Sequence, residues 1–222
     1  MEIKNKLIVT AGGSGLRMGS DLPKQFLLLK GNPIIFRVLE AYYTLSPPIE
    51  MEVYVVLPPL YMELWKELAV QYHFRSPCTL VAGGFTRFHS VKNALALIPA
   101  GGITAVHDGV RPFVSGALIH SCFDLAREHP AVVPVLEITD SMRRITDQGS
   151  VPVDRTLFLR AQTPQFFWTD VLKKAYDQSY IPDFTDDASV VEQDGVPLFL
   201  TRGEARNIKI TTPEDLAMAA FL

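Results

Sequence analysis

Short apolar runs rich in β-branched residues recur along the chain, and each ends at a glycine, a proline or an acidic residue. Because the runs are continuous rather than alternating, they predict strands that are buried on both faces of a sheet. The predicted strands cover residues 7–11, 53–57, 78–82, 103–107 and 131–136.

Apolar residues at helical spacing occupy the stretches between these strands and the later part of the chain. The predicted helices cover residues 33–45, 60–72, 86–98, 115–129, 169–179, 186–194 and 213–221. The last helix has the clearest start, with Thr212 as its N-cap, Pro213 in the first turn and Asp215 three residues after the cap. The alternation of strand and helix predicts an α/β fold with a mostly parallel, doubly wound central sheet.

One segment, from Thr139 to Arg155, interrupts this alternation. It is too short for a helical crossover, and it contains a turn signal at residues 147–150. We interpret it as a protruding two-stranded β-arm, at about residues 138–155 of a single domain that spans residues 1–222. An isolated hairpin is marginal in water, so the arm needs a surface to pack on. That surface is either its own sheet or a second copy of the chain, and we favour arm exchange in a homodimer.

Composition narrows the function classes. The 222 residues are 48% hydrophobic and 20% charged, which is typical of a globular chain with a real core. The net charge of −3 provides no global positive field for nucleic acid or an anionic membrane, and no apolar run approaches the roughly 18 residues of a spanning helix. Cys78 and Cys122 have no metal-type spacing, so we expect two buried, reduced thiols in a cytoplasmic protein without a signal peptide.

A glycine-rich loop follows the first predicted strand. The residues Ala11-Gly12-Gly13-Ser14-Gly15 are followed by two cations, Arg17 and Lys24. Glycines let the backbone approach a phosphate closely, its free N–H groups point at the anion, and the cations neutralise the remaining charge. The loop matches neither the P-loop pattern nor the dinucleotide fingerprint, and a plain strand-to-helix turn is the alternative reading.

Polar motifs also follow two other predicted strands. Residues 83–90 (GGFTRFHS) contain Gly84, Arg87 and Ser90, and residues 107–112 (HDGVRP) contain Asp108 and Arg111. Because ligands of open α/β sheets bind beyond the carboxyl ends of the strands, we expect the three loops to form one site. The alternatives are a helix cap with a solvated arginine in the first motif and an ordinary ion pair in the second.

Cations are concentrated in these loops although the protein is acidic overall. The set comprises Arg17, Lys24, Arg87, Arg111, Arg155 and Lys209. A substrate with several phosphates would account for this placement. Two alternatives stay open: Lys209 as an exposed residue of an edge strand, and residues 185–189 (TDDAS) as a plain helix start with Thr185 as its cap.

The motifs AGGSGLRMG, LPKQF, GGFTRFHSV, HDGVRPFV, VDR, QTPQFF, TDDAS and GEARNIKITTPEDL occur in this order along the whole chain. In this order they resemble the 2-C-methyl-D-erythritol 4-phosphate cytidylyltransferase family. The resemblance implies a Rossmann-like nucleotidyltransferase domain whose arm builds a homodimer. It also implies a reaction in which the phosphate of a sugar alcohol attacks the α-phosphorus of CTP and expels pyrophosphate.

The resemblance also implies roles for individual residues. Arg17 and Lys24 would stabilise the transition state, while Lys209 and Arg155, the latter reaching from the partner's arm, would hold the substrate phosphate. The expected nucleotide-binding residues are Gly12, Gly13, Ser14, Gly15, Gly84, Arg87 and Ser90. The expected sugar-phosphate residues are Asp108, Arg111, Ser141 and Thr163. Mg²⁺ would bind mainly through triphosphate oxygens, with Asp108 as its candidate protein ligand.

Two other functions would use the same loops. Ribitol-5-phosphate cytidylyltransferases share the glycine loop, the PKQF motif and the sequence Val110-Arg111-Pro112-Phe113. Residues 185–192 (TDDASVVE) resemble the erythritol enzymes better, so we favour those. A module that senses CTP without turnover would keep the glycine loop, but it gives no reason to gather Arg17, Lys24, Arg155 and Lys209.

Overall fold

The computed structural model describes residues 4–13 and 22–222. In chain order its strands are β1 (Asn5–Thr10), β2 (Leu28–Leu29), β3 (Asn32–Pro33), β4 (Met51–Leu57), β5 (Thr79–Ala82), β6 (Ile103–Asp108), β7 (Ala131–Glu137), β8 (Met142–Thr146), β9 (Gly149–Val153), β10 (Leu159–Ala161), β11 (Gln165–Trp168) and β12 (Phe199–Arg202). The α-helices are α1 (Ile34–Tyr43), α2 (Met62–Gln71), α3 (Arg87–Leu97), α4 (Gly116–Leu125), α5 (Thr169–Ala175), α6 (Asp187–Gln193) and α7 (Pro213–Ala219).

The central sheet has the strand order β10-β7-β11-β6-β1-β4-β5, and β12 pairs with β7 off this path. Strand β1 pairs in parallel with both β4 and β6, and β4 pairs in parallel with β5. Strand β11 is antiparallel to both of its neighbours, β6 and β7. The predicted mostly parallel α/β sheet is therefore confirmed, with antiparallel β10 and β11 and parallel β12 as additions that the apolar runs did not indicate.

The two faces of the sheet bury separate hydrophobic clusters, as continuous apolar strands require. Leu7 and Val9 of β1 point into a cluster that also contains residues of α1 and α4. Ile8, between them, points into the opposite cluster, which contains residues of α3, α5 and α6. Helices thus cover both faces, and the carboxyl ends of β1, β5 and β6 are left as the edge where loops can build a site.

The hairpin of β8 and β9 forms a two-stranded sheet of its own. Its turn lies at Asp147 and Gln148, where the sequence predicted it, and Gly149 follows with a φ of 125° that favours glycine. Ile145 is 87% exposed on this hairpin. In the described part of the chain the strands of this hairpin therefore pair only with each other.

Several predicted boundaries were wrong. Helix α4 ends at Leu125 rather than at residue 129, and just beyond its end the carbonyl of Ala126 accepts a 2.8 Å hydrogen bond from Trp168 Nε1. The cap of α6 is Asp186, not Thr185, since the Asp186 side chain accepts from the Ser189 N–H in a capping box. The capping box of Thr212 and Asp215 at the start of α7 is confirmed.

Two further observations concern the class of protein. No α-helix in the described ranges has the length and apolar character needed to cross a membrane. Both cysteines are free thiols, but only Cys122 is buried, while Cys78 is partly exposed. The expectation that both thiols are buried was therefore wrong for Cys78.

Candidate active site

The loops after β1, β5 and β6 meet in one pocket of about 270 Å³. Backbone hydrogen bonds fix their starting points: Ala11 N–H donates to Val56 O at 2.9 Å, Gly83 N–H to Leu57 O at 2.8 Å and Gly109 N–H to Thr10 O at 2.8 Å. The pocket is lined by a large share of the predicted site residues, namely Gly12, Gly13, Lys24, Gly84, Arg87, Ser90, Asp108 and Lys209. The prediction that these loops come together at one edge of the sheet is therefore confirmed.

A second depression adjoins this pocket and shares Arg87, Asp108 and Lys209 with it. Its other walls include Arg111 and Thr163, two of the predicted sugar-phosphate residues. Gly12, Gly13, Gly84 and Ser90 thus line the first cavity, Arg111 and Thr163 line the second, and Arg87, Asp108 and Lys209 lie between the two.

Lys24 lies over the glycine turn. A Cβ atom added to Gly13 would lie in van der Waals contact with this side chain, 3.4 Å from Lys24 Cε and 3.9 Å from Lys24 Nζ, so the ammonium group lies directly above the Gly13 backbone. Buried Gln25 holds the segment in place by donating a 2.7 Å hydrogen bond from Nε2 to the carbonyl of Ala11. Ser14, Gly15 and Arg17, also predicted for this site, lie outside the described residues.

Ser90 fixes the turn that follows β5. Its Oγ accepts a 3.1 Å hydrogen bond from the Gly84 N–H and donates a 2.9 Å hydrogen bond to the Thr86 carbonyl. A Cβ on Gly84 would lie only 2.4 Å from His89 Cβ, so the turn requires glycine there. The Ser90 hydroxyl keeps one acceptor position, because a hydroxyl has one donor and two lone pairs.

Asp108 is the electrostatic centre of the site. Its carboxylate lies 2.9 Å from Lys209 Nζ, 3.4 Å from Arg111 Nε and 3.8 Å from Arg87 Nε. Burial alone would raise the pKa of Asp108, but the charges of Arg87, Lys209 and Arg111 outweigh it and hold that pKa well below its usual range. Asp108 is therefore ionised at any working pH.

Arg87 is held by a buried carboxylate that the sequence analysis missed. Its Nη2 lies 2.5 Å from Oδ2 of Asp187, a residue with no solvent exposure, and the Tyr176 hydroxyl donates a 2.6 Å hydrogen bond to Oδ1 of the same carboxylate. Burial would lower the pKa of Arg87, but Asp187 and then Asp108 reverse the shift and raise it. The Arg87 guanidinium group thus forms ion pairs with the carboxylates of both Asp187 and Asp108. Its predicted contact with the nucleotide stays a prediction.

Lys209 reaches Asp108 from a segment that the sequence analysis interpreted as a strand. That interpretation was wrong, since residues 207–211 pair in no sheet. Side chains hold the segment instead: Arg111 Nη1 donates to the Asn207 carbonyl at 2.8 Å, and Gln162 Nε2 donates to the same carbonyl at 3.2 Å. Gln162 also exchanges hydrogen bonds with the backbone of Glu204, at 2.9 and 3.0 Å. Gln162 is thus a functional candidate that the spacing of charges could not indicate.

Ser141 and Arg155 do not join the pocket. Both are exposed on the arm, and the Arg155 guanidinium donates to the Thr139 carbonyl. Thr163, by contrast, is buried, and its Oγ1 accepts a 2.9 Å hydrogen bond from the Asp108 N–H.

The described side chains of the site offer few oxygen ligands for a divalent cation. Within residues 4–13 and 22–222, Asp108 is the one carboxylate that lines the main pocket, and no group of three or more His, Cys, Asp or Glu side chains suited to a metal occurs there. Mg²⁺ usually binds through one or two carboxylates and substrate phosphates. These residues therefore fit a cation held mainly by substrate oxygens, with Asp108 as the protein ligand.

A doubly covered α/β sheet with a glycine turn, two lysines and two arginines at its carboxyl edge has the design of a nucleotidyltransferase. Comparison with known proteins identifies the family. The profile of IspD, described as 2-C-methyl-D-erythritol 4-phosphate cytidylyltransferase, matches residues 6–222. The chain belongs to this family.

Relatives across the full chain agree with this assignment. A protein of this name from Bacteroides thetaiotaomicron is 49% identical over 99% of the chain and 100% of its own length. The crystal structure of the protein of this name from Thermus thermophilus is 29% identical, with a TM-score of 0.76 over 100% of this chain and 98% of that one. The one from Francisella tularensis is 28% identical, with a TM-score of 0.81 over 98% and 99%.

Proposed function

We propose that the protein transfers CMP from CTP to 2-C-methyl-D-erythritol 4-phosphate, giving 4-diphosphocytidyl-2-C-methyl-D-erythritol and pyrophosphate. The observation that carries this proposal is the convergence of Lys24 and Lys209 on one pocket, with the glycine turn on one side and the Arg111 depression on the other. One cavity then holds the triphosphate, and the adjoining cavity holds the attacking phosphate monoester.

In this reaction an oxygen of the substrate phosphate bonds to the α-phosphorus of CTP while the bond from that phosphorus to the bridging oxygen of the β-phosphate breaks. Negative charge crowds the five-coordinate phosphorus, so catalysis consists of positioning and electrostatic stabilisation. Lys24, held over Gly13, stabilises the transferring group from the glycine side. Lys209 and Arg111 orient the attacking phosphate. A bound Mg²⁺ would neutralise triphosphate charge, and Asp108 would hold it.

The remaining predicted residues complete this proposal. Arg17, with Ser14 and Gly15, would act on the triphosphate beside Lys24. Arg155 and Ser141 would reach the sugar phosphate of a partner molecule through the arm, since in their own chain they lie outside both cavities. The working form would then be a cytoplasmic homodimer, and sedimentation showing only monomer at micromolar concentration would contradict that part.

The substrate is tested by pyrophosphate release from purified protein with CTP and Mg²⁺, adding either 2-C-methyl-D-erythritol 4-phosphate or ribitol 5-phosphate. The proposal predicts faster turnover with the methylerythritol compound. Faster turnover with ribitol phosphate would assign the neighbouring specificity. CTP binding without pyrophosphate release under either condition would overturn the enzyme proposal and favour a CTP sensor.

A further inference from the structure

Phe85 is an apolar side chain without a folding role. It is fully exposed, at 102% of the reference area, yet it lines the pocket that we assign to the nucleotide. Among the described residues it is the one large exposed apolar side chain that lines this pocket. Single exposed apolar side chains are common on protein surfaces, so what distinguishes Phe85 is its position at this pocket.

Local structure does not explain the ring. Phe85 directly precedes Thr86, the N-cap of α3, which is the position of a hydrophobic staple. The staple partner would be the fourth helical residue, but this is Ser90, whose hydroxyl is bound to Gly84 and Thr86. Among the described residues its aromatic neighbour is His89, in a T-shaped arrangement with a centroid distance of 6.3 Å and an interplanar angle of 86°. Phe85 thus stabilises the helix start little.

The turn nonetheless fixes where Phe85 lies. A Cβ at Gly84 would collide with His89, and a Cβ at Gly83 would lie 3.3 Å from both the Leu57 carbonyl oxygen and Ser90 Oγ. The backbone before Phe85 is therefore packed against β4 and α3, and its Cα is held at the rim of the pocket.

The charge distribution of the pocket gives the orientation of a nucleotide. A Cβ on Gly12 would lie 3.8 Å from Ser90 Oγ, whereas a Cβ on Gly13 would lie 3.4 Å from Lys24 Cε. The pocket floor thus runs from Ser90 past the two glycines to Lys24. Phosphates belong at the lysine end, which leaves the end formed by Gly84, Phe85 and Ser90 for the nucleoside. Arg87, the cation that lines that end among the described residues, is already paired with Asp187.

We propose that Phe85 stacks on the pyrimidine base of the bound nucleotide and closes the open side of the pocket over it. The proposal rests on the proposed function only in taking a nucleoside triphosphate as the ligand of this pocket. Base–aromatic stacking does not depend on base edges, so Phe85 contributes affinity, while the selection of cytosine falls to polar groups.

The test compares two ligands on four proteins. Calorimetric titrations of CTP and of inorganic triphosphate, which has no base, are run with Mg²⁺ on wild type, Phe85→Ala, Phe85→Tyr and Phe221→Ala. Phe221 is a matched control because its ring is 92% exposed and lines no part of the pocket. Because Phe85 is fully exposed, its truncation leaves the fold intact, which thermal unfolding verifies.

We expect Phe85→Ala to weaken CTP binding by about 5- to 150-fold, and inorganic triphosphate binding to be unchanged. Phe85→Tyr and Phe221→Ala should bind both ligands like wild type. The cytosine H5 and H6 resonances of bound CTP should shift upfield in wild type and lose this ring-current shift in Phe85→Ala. Unchanged CTP affinity in Phe85→Ala, or a parallel loss for both ligands, would overturn the proposal. Because the readout is binding, failure of methylerythritol turnover would leave the result for Phe85 intact.

Discussion

Asp187 offers the sharpest test of how the site is held together. Its carboxylate has no solvent exposure and binds both Arg87, at 2.5 Å, and the Tyr176 hydroxyl, at 2.6 Å. The substitution Asp187→Asn keeps the shape of the side chain and removes its charge. The charge of Arg87 would then be shared only with Asp108, at 3.8 Å.

The expected loss in the free energy of unfolding follows from the burial of this ion pair. Breaking a buried ion pair by removing one partner costs about 3–5 kcal/mol, because the other charge is left uncompensated. The Arg87 side chain is 27% exposed and retains Asp108, so we expect the lower end, about 3 kcal/mol. An unfolding entropy of about 2.1 cal/mol/K per residue gives about 0.47 kcal/mol/K for 222 residues. The melting temperature should therefore fall by about 6 °C.

The assay is calorimetric melting at neutral pH of wild type, Asp187→Asn and Asp124→Asn. Asp124 is the matched control because it pairs with Arg127 at 3.6 Å, but both side chains are at least 70% exposed. An exposed pair contributes about 1 kcal/mol at most, so the control should melt within about 2 °C of wild type. Equal melting temperatures for the two variants would refute the structural role assigned to Asp187.

Two further predictions concern residues behind the site. Burial lowers the pKa of His107 to about 4, so between pH 6.5 and 4 the unfolded chain binds the proton that the folded protein excludes, and stability falls as the pH falls. Urea titrations should show wild type losing about 3 kcal/mol across this range, and a similar loss in His107→Gln would contradict the assignment. Gln162→Met removes the hydrogen bonds that hold residues 203–207, so turnover should fall. Turnover should also fall in Gly203→Ala, because the new Cβ would lie 2.4 Å from Gln162 Oε1 and displace that side chain. The control is Gln178→Met, which loses hydrogen bonds to the carbonyls of Ala175 and Val190 away from the pocket. Equal turnover in the two methionine variants would count against a positioning role for Gln162.

The sequence predicted best those features that depend on local patterns. Strands β1, β4, β5, β6 and β7 were found because each is a continuous apolar run, and the start of α7 was found because its capping residues are adjacent. Strand β11 was missed because its four residues begin with a glutamine, and its place between β6 and β7 is fixed by tertiary pairing. Beyond the end of helix α4 the Ala126 carbonyl cannot accept from residue 130, a proline without an N–H, and Trp168, from a distant part of the chain, donates to it instead.

The site also divides into residues that local patterns could predict and residues that depend on tertiary contacts. The rule that ligands bind at strand ends placed Lys24, Ser90 and Asp108 in one pocket. It could not indicate Asp187, because the partner of this aspartate, Arg87, lies 100 positions away and the residue sits in an ordinary helix start. Lys209 was placed on a strand because its neighbours are apolar and β-branched. In the folded chain, side-chain donors take the Asn207 carbonyl that a strand would have used for pairing.

The central claim is that Lys24, held over the glycine turn, stabilises the transferring phosphorus of CTP more than it stabilises bound CTP. The most direct test is a single-turnover measurement of pyrophosphate release in Lys24→Ala, alongside the dissociation constant of CTP. We predict a loss of about a hundredfold or more in the rate, or about 3 kcal/mol of transition-state stabilisation, with a much smaller change in CTP affinity. A rate equal to that of wild type, or a loss of affinity as large as the loss of rate, would contradict the claim.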